Sequence, residues 1–245
     1  MEKTALVTGG SVGIGRAIVK ALAAQGYNIG INYRTHESEA KDLAAEIIRD
    51  FGVKAVACQA DVACSKQVKD MVTLVCKQLG EVTLLVNNAG IAQQKLFTDI
   101  TEEEWDRLFS VNVKGAFLCS KAVLPNMIRN HQGNIINISS IWGMVGASCE
   151  VHYSAAKSAI IGFTKALAKE VGPSSIRVNC VAPGVIATEM NAALSDETIA
   201  LLKEETPLCT IGTVEDIANA VVFLAGDQSS FITGQVLSPN GGIVI

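Results

Sequence analysis

The sequence predicts an α/β protein of one domain, a doubly wound sheet of about seven parallel strands with helices on both faces. Short apolar, β-branched runs alternate with longer helical patterns along the chain, the order that parallel strands joined by right-handed crossovers require. A length of 245 residues, 49% of them hydrophobic and 18% charged, suits one large core. No repeat, low-complexity tract or linker divides residues 1–245, so they read as one unit.

Strands are expected over residues 4–8, 28–33, 53–58, 84–87, 134–139, 177–181 and 235–238, with helices between them. The first helix covers residues 16–25, and long helical patterns run over 102–128 and 151–171. Thr101-Glu102-Glu103-Glu104 opens the first of these long patterns as a capping box, in which Thr101 and Glu104 satisfy free amides at the helix start. Residues 188–212, between the sixth and seventh strands, carry one short helical pattern and are expected to form a substrate lid.

Composition excludes several classes. Lys and Arg number 20 against 24 Asp and Glu, a net charge of -4, so the basic excess that favours nucleic acid is missing. Met1-Glu2-Lys3-Thr4 leads into only Ala5-Leu6-Val7 before glycines, unlike a secretory signal. No run reaches the roughly 18 apolar residues of a membrane span, and a cytoplasmic protein that binds no membrane is expected. Seven cysteines without a CxxC pair read as reduced small hydrophobes. His36, His131 and His152 lack metal-ligand spacing, so no metal is expected.

The first strand runs directly into Thr8-Gly9-Gly10-Ser11-Val12-Gly13-Ile14-Gly15 and then into a helix. Glycines let the backbone turn tightly and approach a pyrophosphate, while free amides at the helix start supply donors and a favourable dipole. Tyr153 and Lys157 stand four apart in a predicted helix, so their side chains share one face. A nearby ammonium lowers the pKa of a phenol, and the pair suits proton transfer.

The spacing Gly9-xxx-Gly13-x-Gly15 differs from GxGxxG and resembles that of the short-chain dehydrogenases/reductases. Asp61-Val62, Asn87-Asn88-Ala89-Gly90, Ser140 with Tyr153 and Lys157, and Pro183-Gly184 with Thr188 agree, and the resemblance covers essentially the whole chain. It implies a Rossmann-type fold and a nicotinamide cofactor held by Gly9, Ser11, Val12, Gly13, Ile14 and Gly15. Asp61 and Val62 would contact the adenine, Asn88, Ala89 and Gly90 the adenine ribose, and Pro183, Gly184, Ile186 and Thr188 the nicotinamide. At the family's usual acidic position for NAD this chain has Tyr33, followed by Arg34, which would pair with the extra phosphate of NADP; NADP(H) is expected. Val12 stands where many NADP-using relatives have Arg.

The resemblance makes Tyr153 the proton donor to a ketone oxygen as hydride arrives, Ser140 the group that holds that oxygen, and Asn112 the anchor of a water linked to Lys157. Ser139 points elsewhere if the strand alternates. A serine hydrolase would need G-x-S-x-G around Ser140 and a following His, which are missing. A non-catalytic NADPH sensor would show an incomplete reacting set, whereas Asn112, Ser140, Tyr153 and Lys157 are all present. His152 reads as structural.

Within the family the chain is most similar to the 3-oxoacyl-[acyl-carrier-protein] reductases, through Gly143, Tyr153 to Lys157 and Asn240-Gly241-Gly242. Relatives commonly carry Arg for carrier-protein docking where this chain has His131 and Ser174, with Arg129 as compensation for the first. Trp142 and Glu150 flank the expected reaction centre as substrate residues, since an indole face with a carboxylate can receive an ammonium group. The segments Gly90 to Phe97 and Trp142 to Tyr153 also resemble bacterial reductases of the 5-aminopentanone modification on elongation factor P. The alternative roles are packing for Trp142 and capping of the catalytic helix for Glu150. By resemblance, helical residues 102–128 and 151–171 and the C-terminal strand region form the interfaces of a homotetramer.

Overall fold

The computed structural model describes residues 3–187 and 196–245. Seven strands form one sheet, all neighbours parallel: β1 Thr4–Val7, β2 Asn28–Tyr33, β3 Ala55–Gln59, β4 Leu84–Asn87, β5 Gly133–Ile138, β6 Ile176–Val181 and β7 Val236–Leu237. Their order is β3-β2-β1-β4-β5-β6-β7. The chain starts at the middle, winds outward through β2 and β3, then crosses β1 to build the other half. The strand order therefore reverses between β1 and β4, and the crevice outside the carboxyl ends of these strands is where such sheets bind ligands.

The strands are buried on both sides, and the period-2 alternation decides which helix each side chain meets. Ala5 and Val7 of β1 join Ile29 and Ile31 of β2 in one core layer, against Ile18 and Leu22 of α1 (Gly13–Ala24), Leu43 and Ile47 of α2 (Glu37–Phe51), and, further along the chain, Val221. Leu6 faces the other way, in a layer with Val75 of α3 (Ser65–Leu79) and residues such as Val123 and Ala168. Parallel strands need helical crossovers on both faces, so each layer closes one half of the winding.

The expected helix over 102–128 is α4 (Glu102–Phe109), a π-turn at Ser110–Lys114 and α5 (Gly115–Asn130). The capping box is present, with the Thr101 hydroxyl accepting from the Glu104 amide and the Glu104 carboxylate from the Thr101 amide. A short α6 (Trp142–Val145) precedes α7 (Val151–Val171), which matches the second long pattern. The chain closes with α8 (Asp196–Glu205), inside the expected lid, and α9 (Val214–Ala225), which supplies Val221 above. Expected strand ends moved by one or two residues, because pairing partners rather than composition end a strand. Among the described residues no helix is long and apolar enough to cross a membrane.

Candidate active site

All the loops with expected site residues leave the carboxyl edge of the sheet. After β1 the chain turns through Gly9 at φ 61° and Gly13 at φ 53°, the left-handed region that glycine enters without strain. Gly15 has a different reason: a methyl group there would lie 2.1 Å from the Gly9 carbonyl oxygen and 2.7 Å from Asn88 Nδ2. A methyl at Gly13 would meet nothing within 4 Å, so the turn is open on the ligand side. Val12 at the start of α1 provides no side-chain cap, which leaves the first helix amides for an anion. Ser11 in the turn is buried, and Ile14 packs at the edge of the core.

Hydrogen bonds hold the turn from two sides. Asn88 donates to the carbonyls of Thr8 and Gly9, both at 3.0 Å, and the Thr8 hydroxyl accepts from the amides of Asn88 and Ala89 at 3.0 Å. The Asn88 amide nitrogen thus shapes the turn. Asn32 of β2, which sequence reading missed as a site residue, accepts from the Gly9 amide at 3.2 Å and donates to the carbonyls of Cys58 and Ala60. Its signal was an amide within the apolar, buried stretch from Ile29 to Tyr33.

Tyr33 is buried in the core, and exposed Arg34 follows it, so no carboxylate closes the end of β2. Asp61 forms an ion pair with Arg107 of α4 at 3.0 Å and accepts from the Ala63 amide. Although burial opposes it, these bonds and the nearby Arg34 hold the Asp61 carboxyl below its ordinary value. Val62 is buried against Gly115.

At the ends of β4 and β5 the expected reacting residues come together. A methyl at Gly90 would stand 2.9 Å from Asn112 Oδ1 and 3.4 Å from Lys157 Nζ, so those two groups converge on one glycine. Asn112 sits in the π-turn, where its side chain accepts from the Ile91 amide and donates to the Ile91 carbonyl, each at 2.8 Å. Lys157, 5% exposed, donates to the Ile138 carbonyl at 2.9 Å and lies 5.5 Å from the Tyr153 ring centroid. The Ser140 hydroxyl stands near enough to the Tyr153 phenol to pull its pKa down, and it accepts from the Trp142 amide at 3.2 Å. Ser139 points the other way, donating to the Lys157 carbonyl at 2.8 Å. Gly143 lets α6 touch α7, since a methyl there would lie 2.7 Å from the Lys157 backbone carbon.

The electrostatics differ from the sequence expectation. Burial and the nearby Glu150 carboxylate push the Tyr153 phenol up to about 12, against the pull of Ser140. Lys157 is not among the groups that shift the phenol; its ammonium donates to the Ile138 carbonyl and lies over the tyrosine ring. Burial lowers Lys157 itself to about 8.

Trp142 opens α6 and is half-buried. Glu150 occupies the N-cap position of α7, where negative charge is favourable, although its side chain makes no capping hydrogen bond. Burial raises its carboxyl above the ordinary value, and it has no ion-pair partner among the described residues. On the nicotinamide side, the Pro183 carbonyl accepts from the Ile141 amide, Gly184 packs against Asn240, and the Ile186 side chain is in the core, which leaves only its backbone to face a cofactor. Thr188 lies outside the described residues, as does the 188–195 part of the lid expected over 188–212.

This glycine turn at the switch point, with a Tyr-Lys pair on one helix beside a serine, defines a nucleotide-dependent oxidoreductase of the α/β class. The family model described as enoyl-(acyl-carrier-protein) reductase matches residues 9–244. The chain is 44% identical to a 3-oxoacyl-[acyl-carrier-protein] reductase of Staphylococcus epidermidis over 99% of both chains. It is 40% identical to YmfI of Bacillus subtilis, named only as an oxidoreductase, again over 99% of both. A solved structure named as a gluconate dehydrogenase of Agrobacterium tumefaciens superposes with TM-score 0.94 at 32% identity, covering 99% of this chain and 97% of that one. The chain belongs to the short-chain dehydrogenase/reductase family. It is an oxidoreductase that acts on a ketone or its alcohol, and the family works with a nicotinamide cofactor.

Proposed function

We propose that this protein is an NADPH-dependent reductase of 3-oxoacyl thioesters carried on acyl-carrier protein. The observation that carries the reading is the convergence of Ser140, Tyr153, Lys157 and Asn112 beside an open glycine turn. The turn fits a dinucleotide: the α1 amides and Gly13 would receive the pyrophosphate, and Arg34 the 2′-phosphate. When bound, the reduced nicotinamide supplies a hydride to the carbonyl carbon. Ser140 would hold the ketone oxygen, and Tyr153 would give it a proton. A phenol held near 12 is fully protonated at neutral pH, which suits an acid in the reductive direction. Lys157, supplied through a water anchored at Asn112, would return the proton to Tyr153.

The carrier-protein surface is weak at both His131 and Ser174. Arg129, expected to compensate for His131, reaches toward Glu81 at 3.6 Å, so part of its charge is already offset. A second reading therefore stands beside the first. The half-buried, unpaired Glu150 next to Tyr153 suits a ketone that carries an ammonium group, such as the 5-aminopentanone modification of elongation factor P. NADPH oxidation on acetoacetyl thioesters and on modified elongation factor P, at matched concentrations, separates the two. Higher kcat/KM on the thioester, unaffected by Glu150→Ala, supports the first reading; the reverse preference, abolished by Glu150→Ala, supports the second.

A further inference from the structure

We propose that Gln93 and His152 are positioning residues for Tyr153, working as a relay fixed by the Glu104 carboxylate. The inference uses the reductase reading for its activity measurements only. The loop after β4 is tied to both halves of the reacting group: Ile91 to the Asn112 side chain, Gln93 to the His152 ring at 3.1 Å, and the Lys95 amide to the Cys149 carbonyl at 2.7 Å. His152 immediately precedes Tyr153, and its side chain is fully buried. Whatever holds this ring holds the first turn of the catalytic helix.

The protonation pattern of the relay follows from its far end. Glu104 Oε1 accepts from Gln93 Nε2 at 2.7 Å, while Lys95 Nζ donates to both carboxylate oxygens at 2.9 and 2.8 Å. An ionised carboxylate only accepts, so the Gln93 amide has one orientation, with its oxygen toward His152. An amide oxygen cannot donate, so His152 carries its proton on Nε2. Nδ1 is then bare, and it is buried with no partner. A second proton there would find no acceptor, and burial also disfavours the imidazolium. The ring is a neutral donor locked in one tautomer. The capping box of α4 thus sets, through one amide, the placement of Tyr153 on a different helix.

The test uses the full-length protein. Nitrogen NMR of the histidine rings, with His152 assigned through its absence in His152→Gln, is expected to show a neutral ring protonated on Nε2; an Nδ1–H ring or an imidazolium at neutral pH overturns the proposal. In kinetics, Gln93→Leu and His152→Phe are each expected to lower kcat about tenfold, the scale of one buried hydrogen bond, with NADPH affinity unchanged. His152→Gln places an amide donor close to the position of Nε2 and is expected to retain activity within about twofold. A ring that merely fills space predicts the opposite order, with Phe active and Gln impaired, and that result overturns the proposal. If the wild type reduces no ketone, the reductase reading fails, while the tautomer measurement still decides the relay.

Discussion

Gly13 and Gly15 stand two positions apart in the same turn, yet they are glycine for unlike reasons. Gly13, the first residue of α1, needs a positive φ and faces open space, whereas Gly15 has no room for a methyl. Gly15→Ala is therefore expected to push α1 away from Gly9 and Asn88, with a stability loss of about 1–3 kcal/mol and weaker NADPH binding, measurable by urea unfolding and fluorescence titration. Tyr153→Phe should keep NADPH binding but lower kcat on a ketone by about 100-fold or more. Near-wild-type turnover in that variant would remove Tyr153 from the reaction. Lys157 also has a stability signature. Its folded pKa, about 8, lies below the ordinary 10.5, so between these pH values the unfolded chain binds the proton that the folded chain has released. Stability contributed by this site thus rises with pH across that window. The difference in Tm between wild type and Lys157→Met should grow in favour of the wild type from pH 8 to pH 10.

At the scale of elements, the start of α4 serves more than its own helix. The Glu104 carboxylate closes the capping box on the Thr101 amide and binds Lys95 and Gln93, and these bonds hold it down to about 2. A carboxyl depressed below its ordinary 4.5 stabilises the fold fully above that pH, and the contribution is lost as pH falls toward 2. Thr101→Ala should cost about 1 kcal/mol through the cap alone. Glu104→Gln should do more, loosening the loop after β4 as well, and hydrogen exchange at Gln93 and Lys95 would report it; unchanged exchange there would confine Glu104 to capping. The capping box was legible because it is local in sequence. Its grip on residues nine and eleven positions upstream was not, because only the fold brings that loop to α4.

For the whole molecule, buried amides join the sheet to the site. Asn87 of β4 donates to Asn137 of β5 at 2.8 Å and to Ser120 of α5, and Asn137 donates to Thr164 of α7 at 2.9 Å. This line crosses from α5 to the catalytic helix beneath the reacting groups, so the two helices are held in one frame. Exposed Phe117 and Ile128 on α5, and Phe231 and Ile245 near the C-terminal strand, are apolar surface at the regions that the family resemblance assigns to subunit contacts. We expect a homotetramer, and light scattering after size-exclusion chromatography checks it; a monomer would mean that these side chains are exposed for another reason.

The sequence by itself determined the alternation of strands and helices, the glycine turn, the capping box and the Tyr153–Lys157 pair. Each of these is written within a few residues, where the periods of strand and helix and the conformational freedom of glycine operate directly. The tertiary structure alone decided that Asn32 and Asn88 shape the turn, that Gln93 reaches His152, and that Glu150 stands unpaired beside Tyr153. It also decided the direction of the Lys157 ammonium, against the simple expectation from helical spacing. Spacing places two side chains on one face, but burial and the nearest carbonyl decide where a charge points. Those neighbours come from strands and loops far away in the chain, joined only when the sheet is wound.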